Sequence, residues 1–269
     1  MSFETLPEIG MGTFRLKGDV ARDSVKSALS LGYRHIDTAQ MYENEAEVGD
    51  GITSSGIPRR GIFLTTKIWH DRLAGSELIN SLHESLDRLK TDHVDLALIH
   101  WPSPNDQVPM ADYLGALKDA QREGLTRHIG VSNFTCAQMD EAKAILGDTP
   151  IFTNQVEVHP FLANRKVVEH ARRIGIAITG YMPLAVGKVM EDETLIRIGA
   201  AHNASPAQIA IAWLVSRGVV PIPSSTRSKH QKANLAALNI RLSEEEIADI
   251  DKLDRGERIA NPSFAPKWD

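Results

Sequence analysis

Gly32-Tyr33-Arg34-His35-Ile36-Asp37-Thr38-Ala39-Gln40-Met41-Tyr42-Glu43-Asn44-Glu45 contains the end of one helix, a short apolar run and the acidic start of a second helix. Gly32 closes a helical segment whose Val25, Ala28 and Leu29 share one face. The run at 34–37 is too short for a helix and ends on a carboxylate. It reads as one strand feeding one helix, and the fold follows from whether that unit recurs.

It does recur. Short runs rich in Val and Ile, without polar alternation, lie at 9–14, 34–37, 62–67, 94–100, 128–133, 152–157, 177–181 and 219–223. Non-alternating runs of this kind suit strands covered on both faces. Each gap leaves room for a helix. Leu78, Leu82, Leu86 and Leu89 form the clearest apolar stripe, followed by Leu114, Leu117, Ala120 and Gln121, by Val167, Val168, Ala171 and Ile174, and by Ile209, Ala212 and Trp213 behind Pro206. Gly32, Gly56, Gly124, Gly175 and Gly218 punctuate helix ends. Near the end, Ser243 and Glu246 predict a capping box on one extra helix, and residues 258–269 form an irregular tail with two prolines and Trp268.

This pattern predicts an α/β fold: a single (β/α)8 TIM barrel over residues 1–269, with a C-terminal extra helix and short covering loops. The competitor is a doubly wound sheet with a dinucleotide fingerprint. Gly10-Met11-Gly12 starts such a motif, but Arg15 stands where the third glycine belongs.

Composition narrows the function classes. At 269 residues the chain matches the roughly 250 of a typical barrel, and its 42% hydrophobic content supports one large core. A net charge of -5 without long like-charge blocks argues against a nucleic-acid surface. The first eight residues lack a basic and apolar leader, and no apolar run approaches the roughly 20 residues of a membrane span, so a soluble cytoplasmic protein is expected. The single cysteine, Cys136, fits a reducing compartment. It follows Thr135 at a helix start and reads as a small packed thiol rather than a nucleophile. No spacing of His, Cys, Asp and Glu suggests a metal site.

In a barrel of this type, chemistry belongs at the carboxyl ends of the strands. The polar residues there are Asp37, Lys67, His100, Asn133, Glu157 and Tyr181. Taken singly, each is as well explained as a hydrogen-bonded structural group. Asp37, Lys67 and His100, however, end three consecutive strands, with Tyr42 in the loop after the first.

The motifs Gly10-Met11-Gly12-Thr13-Phe14, the opening stretch, Thr66-Lys67, Leu98-Ile99-His100-Trp101-Pro102, Gly130-Val131-Ser132-Asn133-Phe134, Asn154-Gln155 and Ile222-Pro223-Ser224-Ser225 appear in this order. Together they make the chain resemble the aldo-keto reductase superfamily over essentially its whole length. The segment from His100 to Asp106, the run from Ile222 to Thr226 and the short tail most resemble the bacterial 2,5-diketo-D-gluconate reductase B group, which also reduces methylglyoxal.

That resemblance implies a catalytic tetrad of Asp37, Tyr42, Lys67 and His100. Carbonyl reduction needs a proton donor with a pKa tuned toward working pH. A lysine ammonium about 4 Å from a tyrosine, at an effective dielectric near 20, contributes roughly 4 kcal/mol, or about three pKa units before desolvation opposes it. Asp37 would orient Lys67, and His100 would align the carbonyl with Tyr42.

The implied cofactor is NADPH, with NADH possible. Ser132, Asn133 and Gln155 would hold the nicotinamide carboxamide and Tyr181 would stack on the ring. Thr13, Phe14, Pro183, Leu184, Ser224, Ser225, Thr226, Arg227, His230 and Asn234 complete the implied contacts. Many relatives carry lysine at the position of Ser224, arginine at that of His230 and serine at that of Met182. Those departures weaken the NADPH preference unless Arg227 and Lys229 substitute.

Trp69, Trp101 and Trp268 are expected at the substrate mouth, with Trp69 and Trp268 equally explained by packing. The loop from Trp101 to Met110 is short, which suits small aldehydes, α-dicarbonyls and keto-sugar acids. Two other functions compete: a Schiff-base aldolase using Lys67, and a non-catalytic cofactor-binding subunit. A small-molecule carbonyl substrate and a monomer are the expected partner and state.

Overall fold

The structure is a computed structural model describing residues 5–269; residues 1–4, part of the segment read for a leader, lie outside the described residues. Eight strands form one sheet in sequence order: β1 (Met11–Gly12), β2 (His35–Asp37), β3 (Phe63–Ile68), β4 (Val94–Ile99), β5 (Thr126–Ser132), β6 (Ile151–Glu157), β7 (Ala177–Tyr181) and β8 (Val219–Pro221). Each neighbouring pair is parallel. Gly10 N donates to Pro221 O at 2.9 Å and Gly12 N to Pro223 O at 3.1 Å, which brings the first strand against the last. The predicted (β/α)8 barrel is the observed fold.

This seam explains the glycines that mimicked a fingerprint. A Cβ at Gly12 would stand 2.7 Å from Ile222 O, closer than any side chain can approach. The glycines serve backbone contact between the ends of the sheet. The outer strands are shorter than the runs at 9–14 and 219–223 suggest. Pro221 and Pro223 have no N–H to extend the ladder, so β8 stops early.

Helices α1 (Gly18–Leu31), α2 (Glu45–Ser54), α3 (Gly75–Leu89), α4 (Met110–Arg122), α5 (Cys136–Leu146) and α6 (Arg165–Arg173) alternate with the strands. On α3, Leu78, Leu82, Leu86 and Leu89 are all buried, as the stripe requires. Two helices, α7 (Glu193–Ala201) and α8 (Pro206–Ser216), separate β7 from β8, and α9 (Ser228–Ala236) and α10 (Glu244–Asp251) follow the barrel. The capping boxes of Ser205 with Gln208 and Ser243 with Glu246 start α8 and α10. The sequence reading does not mark α7. Its Leu195-Ile196-Arg197-Ile198 core lacks a clean helical stripe, with Ile196 exposed, and its start depends on Asp192 accepting from Leu195 N. Among the described residues, no helix is long and apolar enough to cross a membrane.

Gly49 of α2 packs on the end of α3, where an added Cβ would stand 2.8 Å from Leu89 C and O. In an open helix Gly→Ala stabilises by about 1 kcal/mol. Here we expect Gly49→Ala to destabilise by about 1–3 kcal/mol through overpacking, read from the urea midpoint. A gain in stability would show that the helix contact yields without cost.

Candidate active site

Asp37 ends β2, Lys67 sits in β3, His100 follows β4, and Tyr42 closes a short 3-10 turn, Gln40–Tyr42, after β2. Register places Gly12 beside Asp37, and Lys67 beside Leu98, two residues before His100. The four predicted side chains therefore converge at one end of the barrel. Lys67 is 0% exposed and donates to Asp37 Oδ1 at 2.5 Å, Thr38 O at 2.9 Å and Tyr42 Oη at 3.1 Å. An ammonium has three protons, and all three are used. The Tyr42 hydroxyl accepts from Lys67, so its own proton must point to another partner. Tyr42 and His100 rings meet edge-on at 5.7 Å, and both line a cavity.

Burial is the largest influence on Lys67 and works against its charge, but Asp37 and Tyr42, through charge and hydrogen bonds together, outweigh it and hold the ammonium above its ordinary range. For Tyr42, burial is the largest influence and raises the hydroxyl. Lys67 pulls it down as expected from sequence, yet Asp37 pushes up and the net direction is upward. Proximity of the cation alone therefore does not make Tyr42 acidic here; the result is a protonated hydroxyl held against an ammonium. His100 is driven well below its ordinary value by burial and then by Lys67 and His70, so its imidazole is neutral. Its Nδ1 is buried without a hydrogen-bond partner among the described residues.

Residues not assigned from sequence hold these groups. Asn44 is buried; its Nδ2 donates to Thr13 O and Leu16 O, both at 2.9 Å, and its Oδ1 accepts from Thr38 Oγ1 at 2.8 Å. Gln40 Oε1 accepts from Trp69 N at 3.0 Å, while its Nε2 donates to Ser81 and Ser85 of α3. Glu45, also buried, accepts from Thr66 Oγ1 at 2.6 Å and Arg88 Nε at 2.9 Å. The Gln40, Asn44 and Glu45 side chains stand in the opening stretch, where their polarity in a turn was a usable signal.

The cavity has a volume of about 920 Å³. Phe14, Ser132, Asn133, Gln155, Tyr181, Pro183, Leu184, Ser224, Ser225, Thr226, Arg227 and His230 line it, as do Trp69 and Trp101. Thr13, Lys67, Asn234 and Trp268 are not among its lining residues. Thr13 Oγ1 instead donates to Asp37 O at 2.9 Å, behind the cavity. Trp268 donates to Asn261 Oδ1, lies 6.0 Å from Trp101 and stacks under Arg258 at 3.7 Å. It backs Trp101.

The amide cluster is internally bonded. Ser132 Oγ donates to Gln155 O at 2.7 Å, Asn133 Nδ2 donates to His100 O at 3.0 Å, and Tyr181 Oη donates to Asn133 Oδ1 at 2.8 Å. Gln155 Nε2 donates to Asp37 Oδ2 at 2.7 Å, a link across the barrel that the sequence reading does not contain. Burial pushes the Tyr181 hydroxyl well up, which keeps it protonated.

Other lining residues went unassigned. Phe264 is the clearest, with ring centroids 4.5 Å from His70, 5.5 Å from Trp101 and 5.8 Å from Trp69. It lies in the irregular tail, where no periodicity points a side chain inward. Cys136 matches the packed-thiol reading: burial pushes its thiol up to about 11, and no base activates it.

Residues 8–255 match the Aldo/keto reductase family. The chain is 52% identical to methylglyoxal reductase DkgB of Escherichia coli O157:H7, covering 98% of this chain and 99% of that protein. It is 37% identical to a glyoxal reductase of Bacillus subtilis (strain 168), covering 96% and 92%. Among solved structures, a candidate 2,5-diketo-D-gluconic acid reductase B superposes with a TM-score of 0.95 at 46% identity, covering 98% of this chain and 94% of that one. An aldo-keto reductase of Bombyx mori in complex with NADP superposes at 0.89 with 33% identity, covering 98% and 94%. By that family match and those full-length relatives, the chain belongs to the aldo/keto reductase family of NAD(P)H-using oxidoreductases.

Proposed function

We propose that this protein reduces small aldehydes and α-dicarbonyls such as methylglyoxal, and keto-sugar acids such as 2,5-diketo-D-gluconate, with NADPH favoured over NADH. The saturation of Lys67 is the observation that carries the reading. With every ammonium proton engaged, the Tyr42 hydroxyl is left as a donor at the cavity wall. Tyr42 gives its proton to the carbonyl oxygen, and Lys67 stabilises the tyrosinate that remains. Asp37 keeps Lys67 charged and in place. Neutral His100 holds the carbonyl oxygen in line.

The cavity fits a dinucleotide. Its volume, about 920 Å³, lies within the roughly 300–1,000 Å³ range of small-molecule sites, and polar groups from the ends of β5, β6 and β7 and from the segment after β8 line it. When bound, the nicotinamide supplies the hydride. Ser132, Asn133 and Gln155 would hold its carboxamide, and Tyr181, fastened through Asn133, would pack on the ring. Ser224, Ser225, Thr226, Arg227 and His230, at the start of α9, would hold the phosphates. Trp69 and Trp101 form the substrate side.

The competing functions fit less well. A Schiff-base aldolase needs an accessible neutral amine, whereas Lys67 is 0% exposed and held above its ordinary range. A non-catalytic cofactor-binding subunit gives no role to a buried ammonium placed on a cavity-lining tyrosine.

Tyr42→Phe is expected to lower kcat/KM for methylglyoxal by about 10²–10⁴-fold with the NADPH Kd unchanged, and to cost about 1–3 kcal/mol of stability because one proton of buried Lys67 loses its acceptor. Near-normal turnover would remove Tyr42 as the acid. Asp37→Asn reaches the Tyr42 proton only through Lys67, although it also disturbs the bond from Gln155, so its loss of kcat should be the smaller; the reverse order contradicts the assignment. The Michaelis constant should be lower for NADPH than for NADH, and Arg227→Ala should narrow that gap. Equal constants in the unmodified enzyme would end the NADPH preference.

A further inference from the structure

The segment after α10 has no helix or strand among its described residues, yet Ala260, Pro262 and Phe264 form part of the cavity wall. Something must fix an irregular chain that forms part of a cavity wall. Its fastening begins at Glu157, the last residue of β6, which is 0% exposed. Glu157 Oε1 accepts from Ile259 N at 2.7 Å and His159 Nε2 at 2.9 Å, and Oε2 accepts from Ala260 N at 2.7 Å. Burial alone would raise this carboxyl; the hydrogen bonds from His159, Ile259 and Ala260 outweigh it and hold it below the usual carboxylate range.

The tail reaches this point over the β6 loop. Arg255 N and Glu257 N both donate to Phe161 O, at 3.3 and 3.0 Å, and the Arg255 guanidinium lies 4.0 Å from the Phe161 ring centre. Beyond Ala260 the chain runs to Phe264, which seats against His70, Trp101 and Trp69. The wall between is thus pinned by a buried carboxylate at one end and an aromatic cluster at the other. Further on, Asp269 Oδ2 accepts from Cys136 N at 3.0 Å.

We propose that Glu157 is a positioning residue for substrate: its two oxygens clamp Ile259 and Ala260, and through them set where Pro262 and Phe264 stand. The proposal rests on the carbonyl-reductase reading above for the identity of the substrate. Only a carboxylate suits the clamp. A glutamine of the same shape offers one acceptor oxygen and turns an N–H₂ toward a backbone N–H, leaving a donor unpaired. Glu157 also stands beside Tyr181 in the sheet register, so an effect through the cofactor must be separated from one through the tail.

The test is Glu157→Gln, examined by limited trypsin digestion, NADPH titration and steady-state kinetics with methylglyoxal and a bulky aromatic aldehyde. Trypsin should cut after Arg258 faster than in the unmodified protein, with the barrel intact. The methylglyoxal KM should rise about tenfold, the worth of one buried hydrogen bond, with kcat and the NADPH Kd nearly unchanged. Preference should move toward the bulky aldehyde. Phe264→Ala should give the same kinetic shift, and adding Glu157→Gln to it should add little, because both act through one wall. Unchanged cleavage, additive KM effects, or a change confined to the NADPH Kd would each overturn the proposal. If Glu157→Gln does not fold, Ala260→Pro removes one clamped N–H while leaving the carboxylate; the same cleavage and KM shift supports the clamp, and their absence overturns it. Failure of the carbonyl-reductase reading would instead appear as no oxidation of NADPH by the unmodified protein with either aldehyde, independent of the tryptic result.

Discussion

The buried pair of Asp37 and Lys67 is the constraint on which the site depends. An ammonium at 0% exposure survives only with its charge compensated and its protons accepted, and the chain supplies a carboxylate, a backbone carbonyl and a phenol. Removing one partner of such a pair typically costs about 3–5 kcal/mol, because the remaining charge stays buried. The tyrosine is therefore part of the solvation of the lysine. Its position follows from electrostatics before any reaction is considered.

The carboxylate also connects two sides of the barrel. One Asp37 oxygen faces Lys67 and the other accepts from Gln155 of β6, so the proposed proton-donor side and the proposed carboxamide side share one anion. Asn133 makes a similar link between the His100 backbone and the Tyr181 hydroxyl. Side chains that line one cavity are thus held in place by bonds to each other, which fixes the shape of its wall.

Much of this was legible in the sequence because barrel strands announce themselves locally. Runs such as 62–67 and 94–100 are mainly apolar and each ends on a basic residue, so Lys67 and His100 stand out at the strand ends. Tyr42, in a loop, had no such signal and was identified through its neighbours and the family resemblance. The contacts left unread join residues remote in sequence. Phe264 reaches the cavity through an aperiodic tail, Gln155 meets Asp37 across 118 positions, and Glu157, though noted as a strand end, faces the tail. The direction of the Tyr42 shift was also hidden, since burial is a property of the assembled barrel. Trp268 illustrates the opposite case: a conspicuous aromatic residue that ends up behind the wall.

The seam between Gly12 and Pro223 has a consequence for how the protein comes into being. The loops after β1 and β8, bearing Phe14 on one side and Ser224 to Arg227 on the other, face the cavity from strands at opposite ends of the chain. A partly synthesised chain holds the whole Asp37, Tyr42, Lys67 and His100 cluster while lacking the groove in which a dinucleotide could lie. Joining the first strand to the last is also the strand pairing with the longest loop to close, so it belongs among the entropically most demanding steps of assembly. Ligand binding in this architecture is a property that emerges only at ring closure, and a bound dinucleotide would bolt that joint shut.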